Sequence, residues 1–197
     1  NLKTFQLIGS EDVRERIFDY LRVNRFISLD SIVVETNISP VEIQPRGIVL
    51  SCSDSRVLDS AIFDDDRTLI LNVAGNAPTL GVINTIKYYL SRGKVDFITV
   101  LGHSDCGVVN MAYVSDTDME LKFKPILSII RRSLHIDSSK LAPDAHASES
   151  EYLQNARSSL IWIIKSVGGE ALKNTSLFVA YHDLATGSVD YTFTVER

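Results

Sequence analysis

An α/β fold, a mostly parallel β-sheet flanked by helices with a C-terminal edge hairpin, is what this sequence predicts, and three observations predict it. Short apolar runs rich in β-branched residues at 48–51, 68–71 and 95–101 each end in a polar cluster, as buried strands sharing one direction do. A helical stripe lies between the second and third runs, and strand, helix, strand in that order gives parallel pairing through a crossover. Near the C-terminus two further runs, 177–181 and 189–195, are joined by Ala185-Thr186-Gly187-Ser188, the composition of a turn.

The elements follow in order. Ser10, with Glu11 and Asp12 behind it, is a capped helix start, and Val13, Ile17, Phe18 and Leu21 recur at helical spacing for roughly four turns. The strand from Gly47 delivers Cys52-Ser53-Asp54-Ser55-Arg56, the second delivers Asn72-Val73-Ala74-Gly75-Asn76, and the third delivers Gly102-His103-Ser104-Asp105-Cys106-Gly107. Between the last two, residues 80–91 carry Val82, Ile83, Ile86 and Leu90 on one stripe, with Gly93 to stop the helix. Pro125 is expected to open the next helix, bearing Ile126, Leu127, Ile129 and Ile130. Residues 137–148 read as a polar loop, and a longer helix over about 150–167 is closed by Gly168 and Gly169. In such a sheet ligands bind beyond the carboxyl ends of the strands, where the polar clusters stand.

Length and composition narrow the function. The 197 residues, 45% of them hydrophobic, suffice for one sizeable core, so residues 1–197 are expected to form one domain. A net charge of −5 offers nothing to nucleic acid or an anionic membrane, and Arg131, Arg132 and Lys140 read as a solvated helix face. No apolar run approaches the roughly 20 residues that span a bilayer, and the N-terminus lacks the succession of a secretory signal. The expected location is the cytoplasm, with an upstream presequence left open because the chain starts at Asn1. The two cysteines, Cys52 and Cys106, do not suggest a disulfide framework.

What they do suggest is a metal. His103 and Cys106 stand three apart at the end of one strand and Cys52 ends another, so neighbouring strands can bring all three to one point. Two thiolates and an imidazole suit zinc, and three protein ligands leave the fourth tetrahedral position open, as catalytic Zn2+ requires. His135, His146 and His182 lack ligand spacing to this trio. Asp54, two residues after Cys52, stands where it can ligate the metal or orient its water. Arg56, two further on, can grip that carboxylate through two hydrogen bonds and keep it ionised.

Cys52-x-Asp54-x-Arg56 with His103-x-x-Cys106, about fifty residues apart, resembles the paired signature of the β-class carbonic anhydrases. Residues 72–76 resemble the family's segment between the two motifs, Tyr88 its helix tyrosine, Gly107 the glycine after the second cysteine, and 183–187 its closing turn. The likeness is good over about 45–106 and looser elsewhere. It implies a zinc lyase for which zinc-bound hydroxide converts carbon dioxide reversibly to bicarbonate. Asp54 then orients the hydroxide, Arg56 fixes Asp54, the Gly107 N–H binds substrate or product oxygen, and Tyr88 and Ile43 line the cleft. It also implies a homodimer or larger homo-oligomer, with the stripe Ile17, Phe18 and Leu21 packing on a partner. Two positions depart from the family: Ile43 stands where many members have a glutamine, and Leu71 where some have an arginine that helps bind inhibitory bicarbonate. Gln44 would point the other way from Ile43. The apolar Ile43 keeps a rival substrate in view, carbonyl sulfide or carbon disulfide hydrolysed on the same fold. No G-x-S-x-G elbow or phosphate-cradling glycine loop competes.

Overall fold

Strands form where the apolar runs are β-branched, and a turn of polar residues ends each of them. The computed structural model describes residues 5–6, 34–35, 44–63, 67–114, 117–137, 139, 141–142 and 144–194, in two units, Asn1–Glu42 and Ile43–Arg197. In the first unit β1 (Phe5–Gln6) pairs in parallel with β2 (Val34–Glu35). The helix expected after Ser10, with Ile17, Phe18 and Leu21, lies outside the described residues, and so does Ile43.

The second unit runs β3 (Gly47–Ser51), α1 (Asp59–Ile62), β4 (Thr68–Asn72) and a 3-10 turn (Ala74–Asn76) into α2 (Leu80–Arg92) and β5 (Phe97–His103). Then come α3 (Gly107–Met111), α4 (Thr117–Ser133), α5 (Glu149–Val167), β6 (Ser176–His182) and β7 (Val189–Thr194). The sheet order is β4-β3-β5-β6-β7, with β7 alone antiparallel, so the parallel sheet and edge hairpin are as the sequence predicts. From β3 the chain moves outward to β4 and then returns past β3 to β5. That reversal makes the carboxyl ends of β3 and β5 a switch point.

Side-chain alternation loads both faces of the sheet. Ile48, Leu50, Ile98, Val100, Leu177 and Val179 meet Val82, Ile83 and Ile86 of α2 and Ala156, Leu160 and Ile163 of α5. Val49, Leu101 and Ala180 turn to the other face, where Val57 and the partly buried Ile62, Phe63 and Leu184 join them. Because β3 is buried throughout, its sequence is continuously apolar rather than alternating. Each fully buried Leu or Ile contributes about 1.5–3 kcal/mol.

Helix ends are fixed locally. The Thr79 hydroxyl accepts from the Val82 N–H at 3.4 Å, and the Gln44 amide donates to the Tyr89 carbonyl at 3.0 Å near the other end of α2. Gln44 is thus engaged with the scaffold. At α5, Glu151 reaches back to the Ser148 N–H at 2.7 Å, and Gly168 takes φ +96° just beyond the last turn. The expectation that Pro125 opens a helix is wrong: α4 begins at Thr117 and carries Pro125 inside it. Proline removes one N–H from the helical ladder, but residue 125 is exposed, so water can satisfy the carbonyl four residues earlier.

The β6–β7 turn is tied to the loop after β5. Asp183 Oδ2 accepts from the Thr186 hydroxyl at 2.7 Å, and Oδ1 from the Ala185 N–H at 3.0 Å and the Ser104 hydroxyl at 3.3 Å. The Ser104 oxygen in turn accepts from the Leu184 N–H at 2.9 Å. These donors, the Thr186 hydroxyl foremost, hold the Asp183 carboxyl below its ordinary value of 3.8. A carboxyl depressed by folding stabilises the fold above its unfolded value, and that contribution disappears as pH falls through the folded one. Asp183→Asn should therefore unfold at lower temperature than the parent from neutral pH to about pH 5, the gap closing below 3.8. Thermal melts across pH check this; a gap unchanged at pH 3 would overturn it.

Candidate metal centre

Cys52 is the first residue beyond β3, His103 the last residue of β5, and Cys106 the N-cap of α3. Between the latter two, Asp105 adopts φ +51°, the tight reversal that returns Cys106 to His103. One ligand atom from each of Cys52, His103 and Cys106 lies within 4.8 Å of the others. The two Sγ atoms are 3.8 Å apart. Two thiolates on a tetrahedral zinc, each about 2.3 Å from it, stand about 3.8 Å from one another, so the pair is spaced for zinc. All three side chains are buried.

The histidine is set as a ligand too. Its Nδ1 lies 2.8 Å from the Ser104 carbonyl, which can only accept, so Nδ1 carries the proton and Nε2 presents its lone pair. Nε2 is buried and has no hydrogen-bond partner among the described residues. A buried ring nitrogen placed in this way fits a metal ligand.

Backbone donors serve both sulfurs. The Gly75 N–H points at Cys52 Sγ from 3.3 Å, and the Val109 and Val108 N–H groups at the start of α3 act on Cys106. The Cys106 thiol, donating to Cys52, is the largest cause bringing Cys52 down to about 4; burial opposes it, and His103 and Gly75 assist. Cys106 is pushed up correspondingly, by the Cys52 sulfur first and burial second. Cys52 is thus the readier thiolate of the two, and a dication held by this pair would stabilise both sulfurs as thiolates.

Gly75 reaches the sulfur because the 3-10 turn is bent by two left-handed residues, Gly75 at φ +62° and Asn76 at φ +45°. A Cβ at residue 75 would be strained at this φ and would also sit 2.7 Å from Ile130 Cδ1, which would have to shift, so glycine is favoured here. Asn155 of α5 pins the turn: its amide donates to the Gly75 carbonyl at 2.9 Å and to Asn76 Oδ1 at 2.7 Å, and its own oxygen accepts from Ser133 at 2.9 Å. Asn72 does the same for Cys52, donating to the Cys52 carbonyl at 3.2 Å and to Asp59 at 2.6 Å.

Asp54 and Arg56 pair as their spacing predicts. Arg56 gives Asp54 Oδ1 its backbone N–H and its Nε–H, each at 3.0 Å, and gives Oδ2 a guanidinium N–H at 2.8 Å. The guanidinium is the main cause holding the Asp54 carboxyl at about 2, so Asp54 is ionised at neutral pH. Its charge also acts on His103. Arg56 does more than the motif suggests, since its other N–H groups donate to the Asp105 carboxylate and the Asp105 carbonyl, both at 2.9 Å. One side chain fastens the Cys52 loop to the His103–Cys106 loop.

The remaining sequence candidates are placed as follows. Gly107 begins α3 next to Cys106, and a side chain there would meet nothing within 4 Å, so the space beside it is open. Tyr88 stands on the exposed side of α2, its ring edge-on to Tyr89 and under the Arg92 guanidinium. His182 is level with His103 on β6 but is not one of the converging ligands. Sequence reasoning missed Asp105, Asn155 and the Asn72–Asp59 pair; the signal it could have used was Gly75-Asn76, two residue types that tolerate positive φ side by side.

A family model described as carbonic anhydrase matches residues 47–189, reaching well past the 45–106 stretch where the motifs are densest. A protein named carbonic anhydrase 2 from Mycobacterium tuberculosis is 31% identical over 91 residues, 45% of this chain and 44% of that protein. The carbonic anhydrase of Mycolicibacterium smegmatis is 30% identical over the same proportions. The matched segment thus spans less than half the length of these relatives. Among solved structures, a Coccomyxa β-carbonic anhydrase in complex with acetazolamide superposes with a TM-score of 0.65 at 17% identity, over 94% of this chain and 85% of that one. One from Sordaria macrospora, described as tetrameric, gives 0.56 at 18% identity over 78% and 83%. At these identities the likeness is one of fold.

The purified protein should carry about one zinc per chain, and Cys106→Ser should lose it, because two ligands hold a dication too weakly. Metal analysis after dialysis checks this. Full occupancy in Cys106→Ser would remove the proposed centre.

Proposed function

With residues 47–189 matching its model, the chain belongs to the carbonic anhydrase family, and on that premise we propose that it catalyses the reversible hydration of carbon dioxide to bicarbonate and a proton. The observation that carries the reading is three converging zinc ligands with an ionised, locked carboxylate beside them. Zinc held by Cys52, His103 and Cys106 would supply a Lewis acid able to bring the pKa of water from about 16 to about 7.

The chain supplies the rest. Ionised Asp54 is an acceptor for the proton of the attacking water, which fixes where that water's lone pair points. Arg56 holds Asp54 through three bonds and restrains the Asp105 turn, so the acceptor and the ligand loops move as one body. Gly107, with open space beside it, places an N–H for an oxygen of substrate or product. Ile43 and Tyr88 complete the lining in this reading; because Tyr88 is exposed on its own chain, its part belongs to the assembled oligomer.

Hydrolysis of carbonyl sulfide or carbon disulfide would use the same metal and the same Asp54–Arg56 pair, so only the cleft lining can decide between substrates. Bicarbonate gains from polar partners such as the Gly107 N–H, whereas the apolar departure is one residue, Ile43. A change of that scale is worth about 1–3 kcal/mol, too little to convert the specificity. Carbon dioxide turnover should exceed carbonyl sulfide turnover on one zinc-loaded sample at equal substrate concentration. Arg56→Ala should lower carbon dioxide turnover about 10–100-fold while zinc content holds. Carbonyl sulfide turnover ten times faster than hydration would reverse the assignment, and parental turnover in Arg56→Ala would show the pair to be ornamental.

We also propose a homodimer or larger assembly. Supporting it, β4 ends the sheet and its residues Thr68 to Leu71 are only half-buried, an apolar edge of the kind that proteins cover. Light scattering at micromolar concentration should return at least twice the chain mass of 21.9 kDa; a monomer would refute it.

A further inference from the structure

A cavity of about 370 Å³ lies between α4 and α5, and it does not include the metal ligands. Its α5 wall is Ser158, Trp162 and Lys165, at positions i, i+4 and i+7 of one helical face; its α4 wall is Ile129, Arg132 and Ser133. We propose that this cavity is a binding site for a small organic anion that carries a planar ring.

Charge is the first argument. Arg132 and Lys165 line the cavity beside His135, and among the described residues no carboxylate does, in a chain whose net charge is −5. Among the described residues neither cation is paired with an Asp or Glu side chain. Shape is the second. The Arg132 guanidinium lies 5.8 Å from the centre of the Trp162 ring, which fixes its donor fork against a flat surface. The indole is 43% exposed and its neighbour Ile161 39%, so a flat apolar surface stands open beside two cations. Volume is the third, since about 370 Å³ falls in the range of pockets that hold a small molecule.

The hydroxyls narrow the ligand class. Ser133 directs its hydroxyl at the Ile130 carbonyl and Asn155, and Ser158 donates to the Ser133 carbonyl while accepting from Gln154. His135, Gln154 and Ser159 also line the cavity as a polar rim, and the two cations and the indole supply its charge and its flat surface. A planar ring bearing a carboxylate or a phosphate ester meets both; a neutral sugar or an isolated inorganic anion meets at most one.

The chain has a single tryptophan, and it is the one in this cavity, so its emission reports on the site directly. Zinc-loaded protein is titrated with benzoate, adenosine monophosphate, adenosine and inorganic phosphate while Trp162 fluorescence is followed, with calorimetry in parallel. A saturable response to benzoate, to the monophosphate, or to both supports the site, and which of them acts tells carboxylate from phosphate ester. Adenosine and inorganic phosphate should bind at least tenfold more weakly than the ligand that combines ring and charge. Lys165→Ala, which leaves the Arg132–Trp162 stack in place, should weaken binding about tenfold, as should Arg132→Ala. No saturable response to either planar anion, equal binding of adenosine, or undiminished affinity in Lys165→Ala would overturn the proposal. So would a response that vanishes with the zinc in Cys106→Ser yet ignores Lys165→Ala, for that anion would be at the metal. The outcome is independent of whether the metal centre hydrates carbon dioxide.

Discussion

Leu50 faces Val100 across the β3–β5 ladder although β4, the 3-10 turn and α2 separate the two strands in sequence. That register brings Cys52 and His103 out of the sheet at the same end, one residue past β3 and at the last residue of β5. Slipping it by one residue would turn every apolar side chain of β3 to the opposite face and carry Cys52 away from His103. Burial on both faces of β3 prevents the slip, so the hydrophobic core fixes the relative positions of the candidate ligands. The third ligand needs only the local reversal at Asp105.

Bringing two sulfurs to 3.8 Å inside an apolar cluster is costly unless negative charge is compensated. Compensation here is layered: backbone N–H groups of Gly75 and of early α3 act on the sulfurs, and a dication held by Cys52, His103 and Cys106 would neutralise what remains. Farther out, Arg56 pairs with both Asp54 and Asp105. Arg56 is exposed, and an isolated ion pair of that kind would be worth little to stability. Its value lies in geometry, because two forked contacts on two loops restrict both at once, as a flexible lysine would not.

Much of this was legible in the sequence, and for physical reasons. Cys52, His103 and Cys106 stood out because soft donors are few in this chain and fall at strand ends; Asp54 and Arg56 stood out because they are two apart beside a ligand. Pro125 misled because proline is favoured at the first turn of a helix, and sequence alone does not show that its ring faces water. Asn155 was invisible since an asparagine within an amphipathic helix reads as part of the solvated face, whereas it is buried and fully bonded. Arg131 and Arg132, read together as a solvated face, have separate tasks: Arg131 donates to the Ala112 and Val114 carbonyls beyond α3, and Arg132 lies over Trp162. Charge patterning locates such residues without saying what each one holds.

Buried polar side chains are expensive unless every group is met, and the Ser133–Asn155–Gly75–Asn76 set meets them in a continuous chain. Asn76 extends it by donating to the Leu101 carbonyl at 3.2 Å, so helices α4 and α5, the 3-10 turn and strand β5 are bonded through one amide pair. A leucine at residue 155 would pack the same space without specifying where the turn sits. The amide specifies it, and the turn's position decides whether the Gly75 N–H reaches Cys52 Sγ. The polar network therefore serves the metal centre by excluding alternative backbone positions, and the Ser133 that ends it also lines the cavity between α4 and α5. Contacts made in that cavity fall on the same rigid body that aims the thiolate. A shared rigid body transmits strain but has no second arrangement to switch into, so this continuity argues for fixed geometry at both places rather than for regulation of one by the other.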